Sequence, residues 1–151
     1  MIPKNKRILE NMHQQYIVGT PPKAVVKDTK ILLCCLTNAV VQGSGYKNSP
    51  VYVSSRMLKH LYDKRPAEEY DILIDILHKV VKFPDIIFEN QQDKRGDIIF
   101  LKNYKAEKYL CVLEKGVEGD NCIATAFRVR DENYTKKYKE LWRWRDDVPS
   151  S

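Results

Sequence analysis

The spacing of apolar residues changes near position 85, from a helical repeat to short β-rich runs. Ile8, Leu9, Met12 and Tyr16 recur at helical intervals and predict a short amphipathic helix over residues 4 to 18, stopped by Gly19, Pro21 and Pro22. Residues 23 to 36 read as two short strands, Ala24 to Val26 and Ile31 to Leu36, on either side of the turn candidates Asp28 and Thr29. Gly43, Ser44, Gly45, Asn48, Ser49 and Pro50 make residues 42 to 50 a loop or linker. Val51 to Val53 is strand-like, and Ser54 or Ser55 can cap a helix whose apolar side is Met57, Leu58, Leu61 and Tyr62, ended by Pro66. A second helix, from about Ala67, carries Tyr70, Leu73, Ile74, Leu77, Val80 and Val81 on one stripe and closes before Phe83 and Pro84.

Beyond residue 85, four runs read as strands: Ile86 to Glu89, Ile98 to Lys102, Tyr109 to Leu113 and Ile123 to Val129. Residues 93 to 97, 103 to 107 and 116 to 121 supply plausible hairpin connections, so the four form an antiparallel meander. The Arg95-Gly96-Asp97 triplet is read as one of these charged turns, not as an adhesion motif. From Asp131 to Trp142, residues Tyr134, Tyr138, Leu141 and Trp142 fall on one helical side and predict a packing helix before a loose tail. The expected fold is α+β, with N-terminal helices, a four-stranded antiparallel β-meander and a C-terminal helix. Residues 1 to 50 would be an extension packing on a main domain of residues 51 to 145, and residues 146 to 151 a tail.

Composition narrows the partners more than the fold. At 151 residues and 43% apolar, the chain is long enough to bury a core as one domain. Lys and Arg number 26 against 20 Asp and Glu, a formal +6, which favours polyanions such as nucleic acid and is also common as plain solubility. Cys34, Cys35, Cys111 and Cys122 form no CxxC pair and have no histidine at zinc spacing, so no metal is expected; they read as reduced thiols in a reducing compartment. The charged start without an apolar region after it, and the lack of any apolar run near ~20 residues, give no secretory signal and no spanning helix. The expected location is cytoplasmic, with no membrane partner.

Candidate chemistry collects on the first helix of the main domain and on the last strand of the meander. Arg56, His60 and Lys64 recur every four residues and form a basic stripe, with Lys59 beside them. An imidazole between cations has its protonated form disfavoured, which keeps it available as a base; an ordinary solvated helix face has the same pattern. On the last strand, Thr125, Phe127, Arg128 and Arg130 bring a hydroxyl, a ring and two guanidiniums close together, with Arg128 and Arg130 on one face and Thr125 and Phe127 on the other unless a bulge intervenes. Lys102 could contact a phosphate. Trp142-Arg143-Trp144-Arg145 interleaves rings with cations in a way that suits base stacking, although the preferred reading is a helix end packing on the sheet. His13 and His78 read as structural or surface residues, and Glu68, Glu69, Asp71 and Asp75 as a solvated helix side. No phosphate-binding glycine loop or serine-nucleophile elbow is present, and no cofactor is implied.

The segment from Val51 to Val129, through Val51-Tyr52-Val53-Ser54, Leu58-Lys59-His60-Leu61, Phe83-Pro84-Asp85-Ile86 and Ala124-Thr125-Ala126-Phe127-Arg128, resembles the phage-associated barnase, EndoU, colicin and RelE-like (BECR) nuclease superfamily. The resemblance covers about half the chain. It implies a barnase/RelE-like, toxin-like endoribonuclease that works without metal: the ribose 2′-hydroxyl is deprotonated, the oxygen attacks the adjacent phosphorus, and cations stabilise the phosphorane. Carried over, it makes His60 the acid or base, Lys64 a phosphate contact, Thr125 an orienting hydroxyl and Arg128 a charge stabiliser, with Arg56, Lys59, Lys102 and Arg130 binding RNA. The implied partners are RNA and an acidic antitoxin or immunity-type protein. A second histidine often found shortly after the first stands here as Arg65, and the last strand carries no histidine. The alternative is a non-catalytic nucleic-acid-binding or phage-accessory protein-interaction domain.

Overall fold

The computed structural model describes residues 4–45, 49–90, 98–115 and 120–144. Helix α1 (Lys4–Met12) runs into a π-helical turn (His13–Ile17), buries Leu9, Met12 and Ile17, and stops at Gly19, where φ is +74°. Strand β1 (Lys30–Cys35) follows, then helix α2 (Asn38–Ser44) and strand β2 (Pro50–Ser54). In β1, Cys34 is buried and Cys35 exposed, as alternation along a strand requires.

Helices α3 (Ser55–Lys64) and α4 (Ala67–Lys82) form because an apolar face repeats at helical spacing, with a side-chain cap at the start of α3 and dipole-matched charges at the ends of α4. Ser54 Oγ accepts from Met57 N at 3.1 Å and caps α3, which buries Met57, Leu58 and Leu61. Helix α4 carries Glu68 and Glu69 in its first turn and Lys79 and Lys82 in its last, complementing the helix dipole. Its buried stripe includes Leu73, Ile76, Leu77, Val80 and Val81, each contributing about 1.5–3 kcal/mol on removal from water.

Strands β3 (Ile86–Glu89), β4 (Ile98–Tyr104), β5 (Glu107–Lys115) and β6 (Asn121–Val129) form the predicted meander. The meander, however, is only the middle of a seven-stranded mixed sheet of order β1-β2-β6-β5-β4-β3-β7. On one side β2 pairs parallel with the start of β6, Val51 opposite Asn121 and Tyr52 opposite Cys122, and β1 pairs antiparallel with β2. On the other side β7 (Lys139–Arg143) pairs antiparallel with β3. The four-stranded meander with a C-terminal helix is therefore corrected at both edges.

The correction at the C-terminal edge has a physical cause. The open edge of β3 offers a row of backbone donors and acceptors, and residues 139 to 143 satisfy them as a strand, with Trp144 N donating to Asp85 O at 2.8 Å just beyond. Tyr134 and Tyr138, spaced like helix neighbours, instead bracket a 3-10 turn (Tyr134–Lys137) that covers one sheet face beside Phe88 and Phe127. A register shift between Ile87 and Phe88 leaves Leu141 unpaired, and both Leu141 and Trp142 pack against the opposite, helix-bearing cluster.

Smaller differences follow the same logic. The predicted strand at residues 24 to 26 is not a strand, since Lys23 turns the chain with φ +66° and Val25 is left exposed. The predicted loop of residues 42 to 50 begins inside α2, which Thr37 caps by accepting from Val40 N and Gly45 ends in the left-handed region at φ +78°. The Arg95-Gly96-Asp97 turn, Arg145 and the tail of residues 146 to 151 lie outside the described residues.

Both faces of the sheet are apolar. Phe100, Tyr109, Cys111 and Leu113 meet the helices, while Ile99, Leu101, Leu110 and Val112 form a second cluster under Tyr134 and Tyr138. No helix among the described residues is long and apolar enough to cross a membrane.

Candidate functional site

Strand β2 reaches only Asn121 and Cys122 of β6, so the rest of that edge is open to side chains from the α3–α4 corner. Arg65, just past α3, donates from Nε to Ala126 O at 2.9 Å, and Glu69, in the first turn of α4, accepts from Arg128 N at 3.1 Å. Between them the two side chains occupy backbone groups that a neighbouring strand would have used. Glu69 is 4% exposed and also holds Arg130 in a close ion pair, with Arg65 Nε at 3.8 Å. Burial lowers the Arg65 pKa, Glu69 opposes that shift, and Arg130 adds to it.

This corner positions the side chains facing a cleft between α3 and β6. A bulge in β6 sets Val112 opposite Thr125 and Leu113 opposite Ile123, leaving Ala124 as the extra residue. Arg65 Nη2 donates to Thr125 Oγ1 at 3.2 Å and fixes that hydroxyl beside the cleft, while the guanidinium lies 5.5 Å from the Phe127 ring centroid. The cleft, about 630 Å³, is lined by Asp28, Ser54, Arg56, Met57, His60, Ala124 and Thr125. Arg56 and His60, exposed and one turn apart on α3, thus meet Thr125 from the sheet and Asp28 from the chain before β1.

Of the residues singled out by sequence, Arg56, His60 and Thr125 share this cleft. Lys64 is exposed at the end of α3 and does not line it. Arg128 does not line it either: alternation along β6 puts it on the same face as Ala126, opposite Tyr109, and its buried Nε makes no hydrogen bond to a described residue. Lys59 is 5% exposed, donates to Asp63 Oδ1 at 2.7 Å and to Pro21 O at 2.8 Å, and anchors the N-terminal segment to α3. That Lys59 hydrogen bond is the main cause of the lowered pKa of Asp63. Lys102 Nζ donates to Phe83 O at 2.8 Å, and Arg130 is held by Glu69.

Sequence reasoning missed Arg65 as a positioning residue, Glu69 as a buried anchor and Asp28 as part of the cleft. Glu69 sits in the first turn of α4, where acidic residues are ordinary, and only the open edge of β6 marks it out. The other histidines lie away from this cleft. His13 Nδ1 is 2.8 Å from the Tyr70 hydroxyl and stacks edge-on with Tyr62; burial lowers its pKa, with Asp71 opposing. His78 is buried, and burial followed by Lys79 and Lys82 lowers its pKa against Asp75. Among the described residues no group of three or more His, Cys, Asp and Glu side chains is arranged to hold a metal ion.

Compared with known proteins, the chain matches no protein-family model, no curated protein and no solved structure.

Proposed function

We propose that the cleft between α3 and β6 binds RNA and that His60 acts there as the acid–base group of an endoribonuclease reaction. The observation that carries this reading is the meeting of Arg56, His60, Asp28 and Thr125 around one 630 Å³ cleft. Transfer of an RNA phosphodiester to the ribose 2′-oxygen needs a base for the 2′-hydroxyl, an acid for the leaving 5′-oxygen and a cation for the phosphorane. His60 and Asp28 are the two proton-transfer groups, and Arg56 is the cation. Thr125, whose oxygen accepts from Arg65, keeps its own O–H to donate to a phosphate oxygen. The reading depends on these side chains and not on a barnase-like sheet.

A second reading, RNA binding without cleavage, is favoured by the position of Arg128 outside the cleft and the engagement of Arg130 with Glu69. These leave Arg56 as the cation of the cleft lining. Purified protein incubated with single-stranded RNA in chelator separates the two. Cyclic-phosphate ends that disappear in His60→Ala, with Arg56→Ala strongly slowed, are the expected result. Intact RNA with salt-sensitive retention supports binding alone, and cleavage unaffected by His60→Ala overturns the proposal.

A further inference from the structure

A second recess lies away from His60, where α2, the end of α4 and the β3–β7 edge meet. About 470 Å³ in volume, it is lined by residues that include Val40, Phe83, Pro84, Trp142 and Trp144, with Lys82 and Lys102 among them. That volume falls in the range of small-ligand sites. Phe83 and Trp144 are 56% and 51% exposed, although large aromatic rings ordinarily bury most of their surface. Trp142 is held from below, because α2 carries glycine at position 43, where a Cβ would stand 2.4 Å from Trp142 Cγ. Its ring lies 6.2 Å from that of Trp144, centroid to centroid. The cations sit close to the rings: Lys82 Nζ is 5.6 Å from the Phe83 centroid, and Lys102 Nζ is fixed on Phe83 O at 2.8 Å. Asp85, also in the lining, accepts from Asn103 N at 2.6 Å through one carboxylate oxygen, and its single negative charge is outnumbered by the two ammonium groups.

We infer that this recess is a nucleotide site, in which a base stacks on Phe83 and Trp144 and its phosphate is held by Lys82 and Lys102. Exposed flat rings beside ammonium groups match a planar heteroaromatic ring joined to an anion, and the chain's net +6 brings such anions toward it. Aliphatic walls would suit a peptide better. Stacking tolerates any base, so the site selects nucleotide chemistry over sequence. The site stands whether or not the His60 cleft cuts RNA.

Trp142 and Trp144 are the only two tryptophans of the chain, and both line this recess, so intrinsic tryptophan emission reports on it directly. The full chain is titrated with a short deoxyadenylate oligomer, which lacks the 2′-hydroxyl needed for cleavage, and separately with AMP and an acidic, leucine-rich peptide. Saturable quenching by the oligomer or by AMP is expected, weakened roughly 5- to 150-fold by Phe83→Ala and made less salt-dependent by Lys82→Gln. Quenching by the oligomer alone identifies a single strand as the source, and equal quenching by AMP a free nucleotide. Phe83 is more than half exposed, and circular dichroism checks that each variant is folded. No quenching by either nucleotide, equal affinity in folded Phe83→Ala, or quenching by the peptide alone overturns the inference.

Discussion

Replacing Glu69 tests whether the open edge of β6 is held by side chains. Glu69 is nearly buried and joins Arg65, Arg130 and the Arg128 amide. Removing one partner of a fully buried ion pair costs about 3–5 kcal/mol. Arg130's side chain is 52% exposed, so its pair with Glu69 is worth about 1 kcal/mol or less. Arg65's side chain is 20% exposed and partly desolvated, and an unsatisfied Arg128 N–H costs about 1–3 kcal/mol. Glu69→Ala is therefore expected to lose about 3 kcal/mol, roughly 6–12 °C in Tm for a chain of this length. Glu69→Gln, which keeps an acceptor of similar size, should lose about half as much. Urea unfolding followed by circular dichroism measures both, and a double-mutant cycle with Arg65→Ala measures the coupling. A Glu69→Ala cost below about 0.5 kcal/mol, or strict additivity with Arg65→Ala, refutes the account.

Other predictions follow from single contacts. Gly43→Ala drives a methyl group into Trp142 and should cost about 1–3 kcal/mol while shifting tryptophan emission; an unchanged spectrum and Tm would count against this contact. Burial pushes the Cys34 thiol up to about 12 and raises Cys111 as well, whereas Cys35 is exposed, so iodoacetamide should label Cys35 in the native protein and the other two only on unfolding. Equal native labelling of Cys34 and Cys35 contradicts it. His78 has its folded pKa below the ordinary 6.5, so the unfolded chain takes up the proton first and stability falls as pH drops below 6.5. Because His13 shifts the same way, the check is a comparison of pH–stability curves, in which His78→Gln should be flatter than the parent.

What the sequence alone determined was what local spacing can encode. The 3.6-residue stripe of α4 from Tyr70 to Val81, a serine cap on α3 and four strands after residue 85 all form where local spacing places them, three of the strands running beyond the predicted bounds, because one face of each meets a core wherever the element lands. The basic spacing of Arg56 and His60 likewise put both on one side of α3. Tertiary structure decided the rest. Whether residues 139 to 143 become a helix or a strand depends on the open edge of β3, a partner some fifty residues earlier that no local period reveals. The parallel seating of β2 on only two residues of β6 leaves an edge that Arg65 and Glu69 occupy, and Arg65 in turn holds the Thr125 hydroxyl beside the cleft that His60 lines. Lys59 and Arg130 are expected from sequence to bind RNA because their charge is visible there, whereas the carboxylates that hold them, Asp63 and Glu69, are assigned only when the chain has folded.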